Sequence, residues 1–187
     1  MDNDLKYTEN GEYTIRILTP EDVTDEYVKW ISDPEITRYS QNRLRTFTLE
    51  GQKKYVKDML DSDCHYLYGL FHHQLHIGNL LFGPIDWFNK LCDVRIVIGY
   101  KKYWGKGIMY NLGTKGIENT FKDYPLFKLC ITVRANNLPS IFCAKKFGFV
   151  KEGIRKSHLI FEDSRIDLIE YGVFVKYGKV LKNYVPD

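Results

Sequence analysis

The stretch Ile96-Val97-Ile98-Gly99-Tyr100-Lys101-Lys102-Tyr103-Trp104-Gly105-Lys106-Gly107-Ile108 joins an apolar run to a basic turn bracketed by glycines. The β-branched run predicts the end of a buried strand. The text after the turn, Ile108–Phe121, carries a helical pattern. Glycine takes positive φ without strain and lets a backbone approach a ligand closely. The first turn of a helix leaves several N–H groups unpaired, and with the helix dipole they form a ready phosphate site. Lys101, Lys102 and Lys106 add positive charge around it. The same pattern also suits an ordinary strand-to-helix turn.

A second stretch lies downstream. Val133-Arg134-Ala135-Asn136-Asn137-Leu138-Pro139-Ser140 leads from a strand, Phe127–Val133, into a helix over Leu138–Phe147. Pro139 and Ser140 suit the helix start and Gly148 suits its end. Upstream, Tyr13–Leu18 alternates like a strand. Thr19-Pro20-Glu21-Asp22 predicts a helix start running to about Ser32, before Asp33-Pro34. Arg38–Phe47 has no clear period and is expected as a loop. Thr48 caps a second helix, with Leu49, Tyr55, Val56, Met59 and Leu60 turned inward. Strands follow at about His65–Phe71, Leu75–Ile85 and Cys92–Ile98. A closing hairpin, Val150–Ile160 with Arg165–Phe174, turns at Glu162-Asp163-Ser164, and the tail after Lys176 is expected to fray. The order is strand, two helices, three antiparallel strands, helix, strand, helix, hairpin, which is an α+β class.

The two stretches together resemble the GNAT acetyltransferases. Tyr103-Trp104-Gly105-Lys106-Gly107 is similar to that family's pyrophosphate-binding turn. Asn137-x-x-Ser140, followed by Lys146-Phe147-Gly148-Phe149, is similar to its second conserved block. Trp30-Ile31-Ser32-Asp33-Pro34-Glu35-Ile36 resembles a helix-ending segment of the branch that holds ribosomal-protein Nα-acetyltransferases, spermidine acetyltransferases and sugar-nucleotide acetyltransferases. The resemblance runs from about Tyr13 to Phe174. It implies a mixed, mostly antiparallel twisted sheet of about seven strands flanked by four helices. It also implies a single domain over residues 1–187, with its core at about 13–174.

The resemblance further implies acetyl-coenzyme A as co-substrate. Backbone amides of Trp104, Gly105, Lys106, Gly107, Ile108 and Met109 would hold the pyrophosphate. Ile96 and Ile98 would pair with the pantetheine arm, admitted by a splay between that strand and the next. Asn137 would bind the pantetheine or amide region. Lys145 and Lys146 are better explained as a solvated helix face. The sequence departs from the family at two points. Met109 stands where a small residue is usual. Ala144 stands where many members carry the tyrosine that protonates the leaving thiolate. A thiol pKa of about 8.5 makes unassisted departure plausible. Cys143 is adjacent and is expected to be a core residue.

An alkyl ammonium has a pKa near 10 and must lose a proton before it attacks a thioester. Asp93, eleven residues before Trp104, occupies the position where the family often has a strand carboxylate and is the first candidate base. Its structural alternative is an acid that caps a turn or pairs with Arg95. His65, Asp86, His158 and Glu170 stand in reserve. No metal is needed. His72, His73 and His76, with Cys64 or His65 near, are explained more simply as a turn between strands than as a zinc site, since no closed ligand set is evident.

Arg38, Arg43 and Arg45 punctuate the loop between the first helices, with Tyr39 among them. Arginines grip phosphates bidentately. In this superfamily that loop lies over the acceptor. The expected acceptor is therefore a small, anionic amine: the amino group of a nucleotide-linked amino sugar, its phosphates on Arg43 or Arg45 and its base or sugar stacked on Tyr39 or Trp87. A solvated basic loop explains the same text. A protein N-terminus is the rival acceptor. A polyamine is disfavoured by repulsion from the arginines. A non-catalytic acyl-CoA sensor remains the non-enzyme alternative.

The chain has 187 residues, 44% of them hydrophobic, which suits one domain with a proper core. A net charge of +3 suits an anionic ligand but is too small and too evenly spread for nucleic acid. The polar, acidic N-terminus is unlike a secretory signal, and no apolar run approaches the roughly 20 residues of a membrane helix. Four unpaired-looking cysteines, with no CxxC, fit a reducing, cytoplasmic protein. A monomer or a homodimer is expected.

Overall fold

The computed structural model describes residues 5–6, 12–182 and 184. Its strands are β1 (Leu5–Lys6), β2 (Tyr13–Ile17), β3 (Tyr66–His72), β4 (Leu75–Asp86), β5 (Leu91–Ile98), β6 (Lys128–Arg134), β7 (Val150–Phe161), β8 (Ser164–Lys176) and β9 (Lys179–Leu181). Its helices are α1 (Asp25–Ser32), α2 (Leu49–Leu60), α3 (Ile108–Phe121) and α4 (Leu138–Phe147). The class is α+β: four helices on an open, mostly antiparallel mixed sheet. The chain clusters into two compact units, Met1–Pro84 with Arg95–Gly116, and Ile85–Val94 with Ile117–Asp187.

In the first unit β1, β2, β3 and β4 follow one another antiparallel. One face of these strands packs on α1 and α2. Leu18, Tyr27, Trp30, Ile31, Val56, Leu67, Phe71 and Leu81 are buried there, with Tyr55, Val97 and Tyr100 packed against them. Each such side chain contributes on the order of 1.5–3 kcal/mol by leaving water. The other face takes α3. A Cβ on Gly116 would lie 3.0 Å from Leu80 and 3.1 Å from Ile15, so only a small residue lets the helix approach this closely.

The first helix is shorter than its sequence suggests. Asp22 accepts from the Thr19 amide at 2.8 Å and holds both terminal nitrogens of Arg16. Those bonds close a single 3₁₀ turn over Pro20–Asp22, and Val23 is extended. The helix restarts with Thr24 accepting from Tyr27 N. The loop before α2 holds another 3₁₀ turn, Gln41–Leu44, capped by Ser40. Thr48 caps α2 as expected, but Leu60 at its end is 43% exposed, and the buried polar position is Gln52.

In the second unit the order is β5-β6-β8-β7, with β9 added on β8. β5 and β6 pair in parallel from Leu91↔Lys128 to Asp93↔Cys130. The long β7–β8 hairpin turns at Glu162, where φ is 53°. The expected fraying tail instead contributes β9, with Val180 opposite Val175. Val180 and Leu181, both half-buried, supply the apolar surface of β9 within otherwise polar text.

Candidate active site

The glycine turn lies in the first unit. After β5, residues Lys101–Tyr103 make one 3₁₀ turn, and Gly105 and Gly107 have φ of 73° and 72° before α3 begins at Ile108. Nothing lies within 4 Å of where a Gly105 Cβ would sit, so the backbone there is open on its outer side. Trp104, Gly105 and Lys106 are exposed. The first N–H groups of α3 have no partner within the helix, by its geometry. These features fit a bound pyrophosphate. Ile108 and Met109 are buried, so Met109 fills core and offers a site only its backbone.

Long-range bonds fix this turn. Tyr103 Oη lies 2.9 Å from His72 Nδ1, and Tyr13 packs on the same imidazole at 4.7 Å. Trp104 Nε1 donates to the Ile98 carbonyl at 3.1 Å, so that strand-end oxygen already has a donor. Gly99 N donates to Ile77 O, and a Cβ on Gly99 would sit 2.3 Å from the Trp30 ring. Lys101 pairs with Glu35, whose hydrogen bond holds its ammonium pKa up, so its charge is partly spent. Lys102 and Lys106 lie over the Tyr103 ring, at 5.0 and 5.8 Å. None of these partners is visible in the local text.

On the segment before α2, Arg45 is exposed, Arg43 and Tyr39 are half-buried, and Arg38 lies 5.7 Å over the Tyr39 ring. Tyr39, Arg43 and Arg45 therefore share one short segment of the first unit. Ile96, at 42% exposure, is in the same unit. His72 and His76 stand on different strands, β3 and β4, with His73 in the turn at φ 53°. Among the described residues no group of three or more His, Cys, Asp or Glu is arranged to hold a metal ion.

The second unit holds Asp93, Trp87 and Asn137. Asp93 is exposed, at the last pair of the parallel ladder, opposite Cys130. Trp87 lies in the β4–β5 turn with its ring 5.4 Å from Tyr124. Asn137 is the N-cap of α4, its Oδ1 accepting from Ser140 N at 3.2 Å, so Pro139 falls inside the first turn. Beside it, Asn136 Oδ1 is buried without a hydrogen-bond partner. A paired Asn-Asn is the only trace of it in the text.

Two of the reserve bases are otherwise engaged. Asp86 accepts from the amide and side chain of Asn89, which together hold its carboxyl below the usual range. Glu170 pairs with Arg155. Ala144 is buried, and burial pushes the Cys143 thiol up, which keeps it protonated and poor as a nucleophile.

The Acetyltransferase (GNAT) domain model matches residues 13–150. The chain belongs to the GNAT acetyltransferase family. It is an acyltransferase with the N-acetyltransferase activity of that family. It is 28% identical over 132 residues to the probable N-acetyltransferase YjcK of Bacillus subtilis (strain 168), covering 64% of this chain and 71% of that one. It is 27% identical over 166 residues to the uncharacterized N-acetyltransferase p20 of Bacillus licheniformis, covering 81% and 85%. Among solved structures, RimL, a ribosomal alpha-N-protein acetyltransferase in complex with coenzyme A, superposes with a TM-score of 0.80 at 16% identity, over 92% of this chain and 98% of that one. No helix of the described residues is long and apolar enough to cross a membrane.

The dual position of Asn137 makes a clean test. Asn137→Ala removes the cap and is expected to cost about 1 kcal/mol of stability. Asn137→Asp keeps a capping oxygen, loses the side-chain N–H donors and adds a negative charge. Thermal melts should separate the two variants, while the KM for acetyl-CoA should rise in both if the amide also binds the coenzyme.

Proposed function

We propose that this GNAT enzyme transfers acetyl from acetyl-CoA to the primary amine of a nucleotide-linked amino sugar. The observation that carries this is the segment holding Arg38, Tyr39, Arg43 and Arg45, three cations and an aromatic ring with no acidic residue between them. Guanidinium forks suit a diphosphate and the ring suits a base or sugar. The donor reading is supported by the positive-φ glycines and open backbone of 104–107. Trp104 to Met109 would hold the pyrophosphate, Ile96 and Ile98 the pantetheine arm, and Asn137 its amide region. Trp87 is the further stacking ring.

In this mechanism Asp93 takes the proton that the ammonium must lose. The amine nitrogen then forms its bond to the acetyl carbon as the carbon–sulfur bond breaks, the electron pair leaves on coenzyme sulfur, and the proton still in excess on nitrogen passes to solvent. With Ala144 in place of a tyrosine, solvent supplies the proton to that thiolate. One catalytic domain is the natural reading, because all three unit boundaries fall inside continuous elements, β4, β5 and α3. We place it in the cytoplasm, where acetyl-CoA and sugar nucleotides are made.

A protein N-terminus is the second acceptor, favoured by the fold shared with RimL. The test mixes purified protein, acetyl-CoA and amines, and follows free thiol. Thiol release with an amino-sugar nucleotide supports the reading. Release only with peptides replaces the acceptor. Bound acetyl-CoA with no release for any amine favours a non-catalytic sensor.

A further inference from the structure

Two glycines leave the turn 104–107 many backbone conformations, and only some of them point its amides at one anion. Gly105 and Gly107 hold φ of 73° and 72°, and no atom lies within 4 Å of where a Gly105 Cβ would sit. Nothing on that side of Gly105 presses the turn into shape. On its C-terminal side the chain is fixed by α3, which begins at the buried Ile108. On its N-terminal side the buried residue is Tyr103, 5% exposed between Lys102 and Trp104, both of which are exposed.

Tyr103 is anchored from another strand. Its Oη lies 2.9 Å from Nδ1 of His72, 31 residues away in sequence. His72 closes β3 and pairs with Tyr13 of β2 in the ladder, and the Tyr13 ring lies 4.7 Å from the imidazole. Tyr100 and Tyr13 meet the Tyr103 ring edge-on, at 6.2 and 6.3 Å. Edge contacts at that range tolerate sliding, whereas a hydrogen bond weakens steeply with angle. The imidazole therefore sets where the phenol stops. The same ring carries local charge. Lys102 Nζ lies 5.0 Å and Lys106 Nζ 5.8 Å from its centroid, within cation–π range. A displaced Tyr103 displaces the turn's backbone and these two lysines together.

We propose that His72 is a positioning residue for the coenzyme: through Tyr103 it holds the turn 104–107 in the conformation that binds pyrophosphate. This rests on the reading of 104–109 as the pyrophosphate turn. Loss of the anchor lowers the fraction of molecules with a competent turn, and apparent affinity falls by that fraction. The net worth of one hydrogen bond corresponds to roughly a 2- to 12-fold change in an equilibrium constant.

The test titrates the full chain calorimetrically with acetyl-CoA and with S-acetylpantetheine, which lacks the pyrophosphate. Tyr103→Phe removes only the hydroxyl, and His72→Phe keeps a ring against Tyr13. Each is expected to weaken acetyl-CoA about fivefold and to leave S-acetylpantetheine unchanged. The double variant should be no weaker than either single one, since both remove the same bond. His72→Asn carries an amide group at the distance of Nδ1 from the backbone and should restore wild-type affinity. If His72→Phe does not fold, Tyr103→Phe and His72→Asn still decide. Wild-type affinity for acetyl-CoA in Tyr103→Phe, equal weakening of both ligands, or additive losses in the double variant would overturn the role of His72 alone. A wild-type protein that binds the two ligands equally would overturn the pyrophosphate reading, and the proposal with it.

Discussion

Asp93→Asn is expected to lower kcat about a hundredfold, the lower end of what general base catalysis contributes. The KM for acetyl-CoA should change little, because asparagine keeps the shape and Asp93 is exposed at the end of the ladder with Cys130. The melting midpoint should stay put for the same reason. Rate should recover as pH rises toward the amine's own pKa near 10, since free amine then needs no base. A steady-state pH profile of wild type and variant carries the test. An unchanged kcat at neutral pH would make Asp93 a structural acid.

Gly78→Ala is expected to be strongly destabilising. Its Cβ would lie 2.4 Å from the Val97 carbonyl oxygen and 3.1 Å from Ile98 Cα. Both are backbone atoms, so no side chain can swing away and the strand itself must shift. Overpacking of this kind costs roughly 1–3 kcal/mol, or about 3–10 °C in Tm for a chain of this size. The strand that shifts carries Ile96 and Ile98, so the KM for acetyl-CoA should rise as well. Gly105→Ala is the control. Its Cβ meets nothing within 4 Å, and only its φ of 73° is strained. Its melting shift should be the smaller of the two. Differential scanning fluorimetry of both variants is sufficient, and equal shifts would refute the steric account.

Acid titration has a definite sign. Burial lowers the His76 pKa, against the opposing pull of Asn79 and Gly78. A base whose folded pKa lies below its unfolded value of about 6.5 stabilises the fold fully above that pH. That contribution is lost as pH falls through the folded pKa, at no more than about 1.4 kcal/mol per pH unit for one proton. Denaturant unfolding between pH 7 and about pH 4.5 should show it, and His76→Asn should flatten this part of the curve. Asp22 acts in a lower window. Burial pushes its carboxyl up, but the Arg16 and Thr19 hydrogen bonds outweigh burial and the net shift is downward. Its contribution is therefore present above about pH 3.9 and is lost below it.

Local chemistry was enough to set α3 and α4 at the bounds the text suggests, Ile108–Phe121 and Leu138–Phe147. Apolar spacing, Thr48 as a cap and Gly148 at φ 96° as a stop act within a few residues, so the sequence carries them openly. The glycine turn, and with it the family, was legible for the same reason. Local text failed where a distant partner decided the outcome. Arg16 on β2 captured Asp22 and cut the first helix short, and β8 recruited the polar tail as β9. Asn137 is also the N-cap of α4 through its bond to Ser140 N, a role that leaves its proposed contact with the coenzyme untouched. Contacts across 52 residues, from Asn79 to Tyr27, and across 66, from Lys101 to Glu35, leave no periodic trace in a one-dimensional pattern. The sequence by itself determined most of the elements, their order and the glycine turn before α3. Only the tertiary structure decided which polar atoms are spent on neighbours and which, like His76 Nδ1, are left without one, because that depends on chain segments that burial brings together.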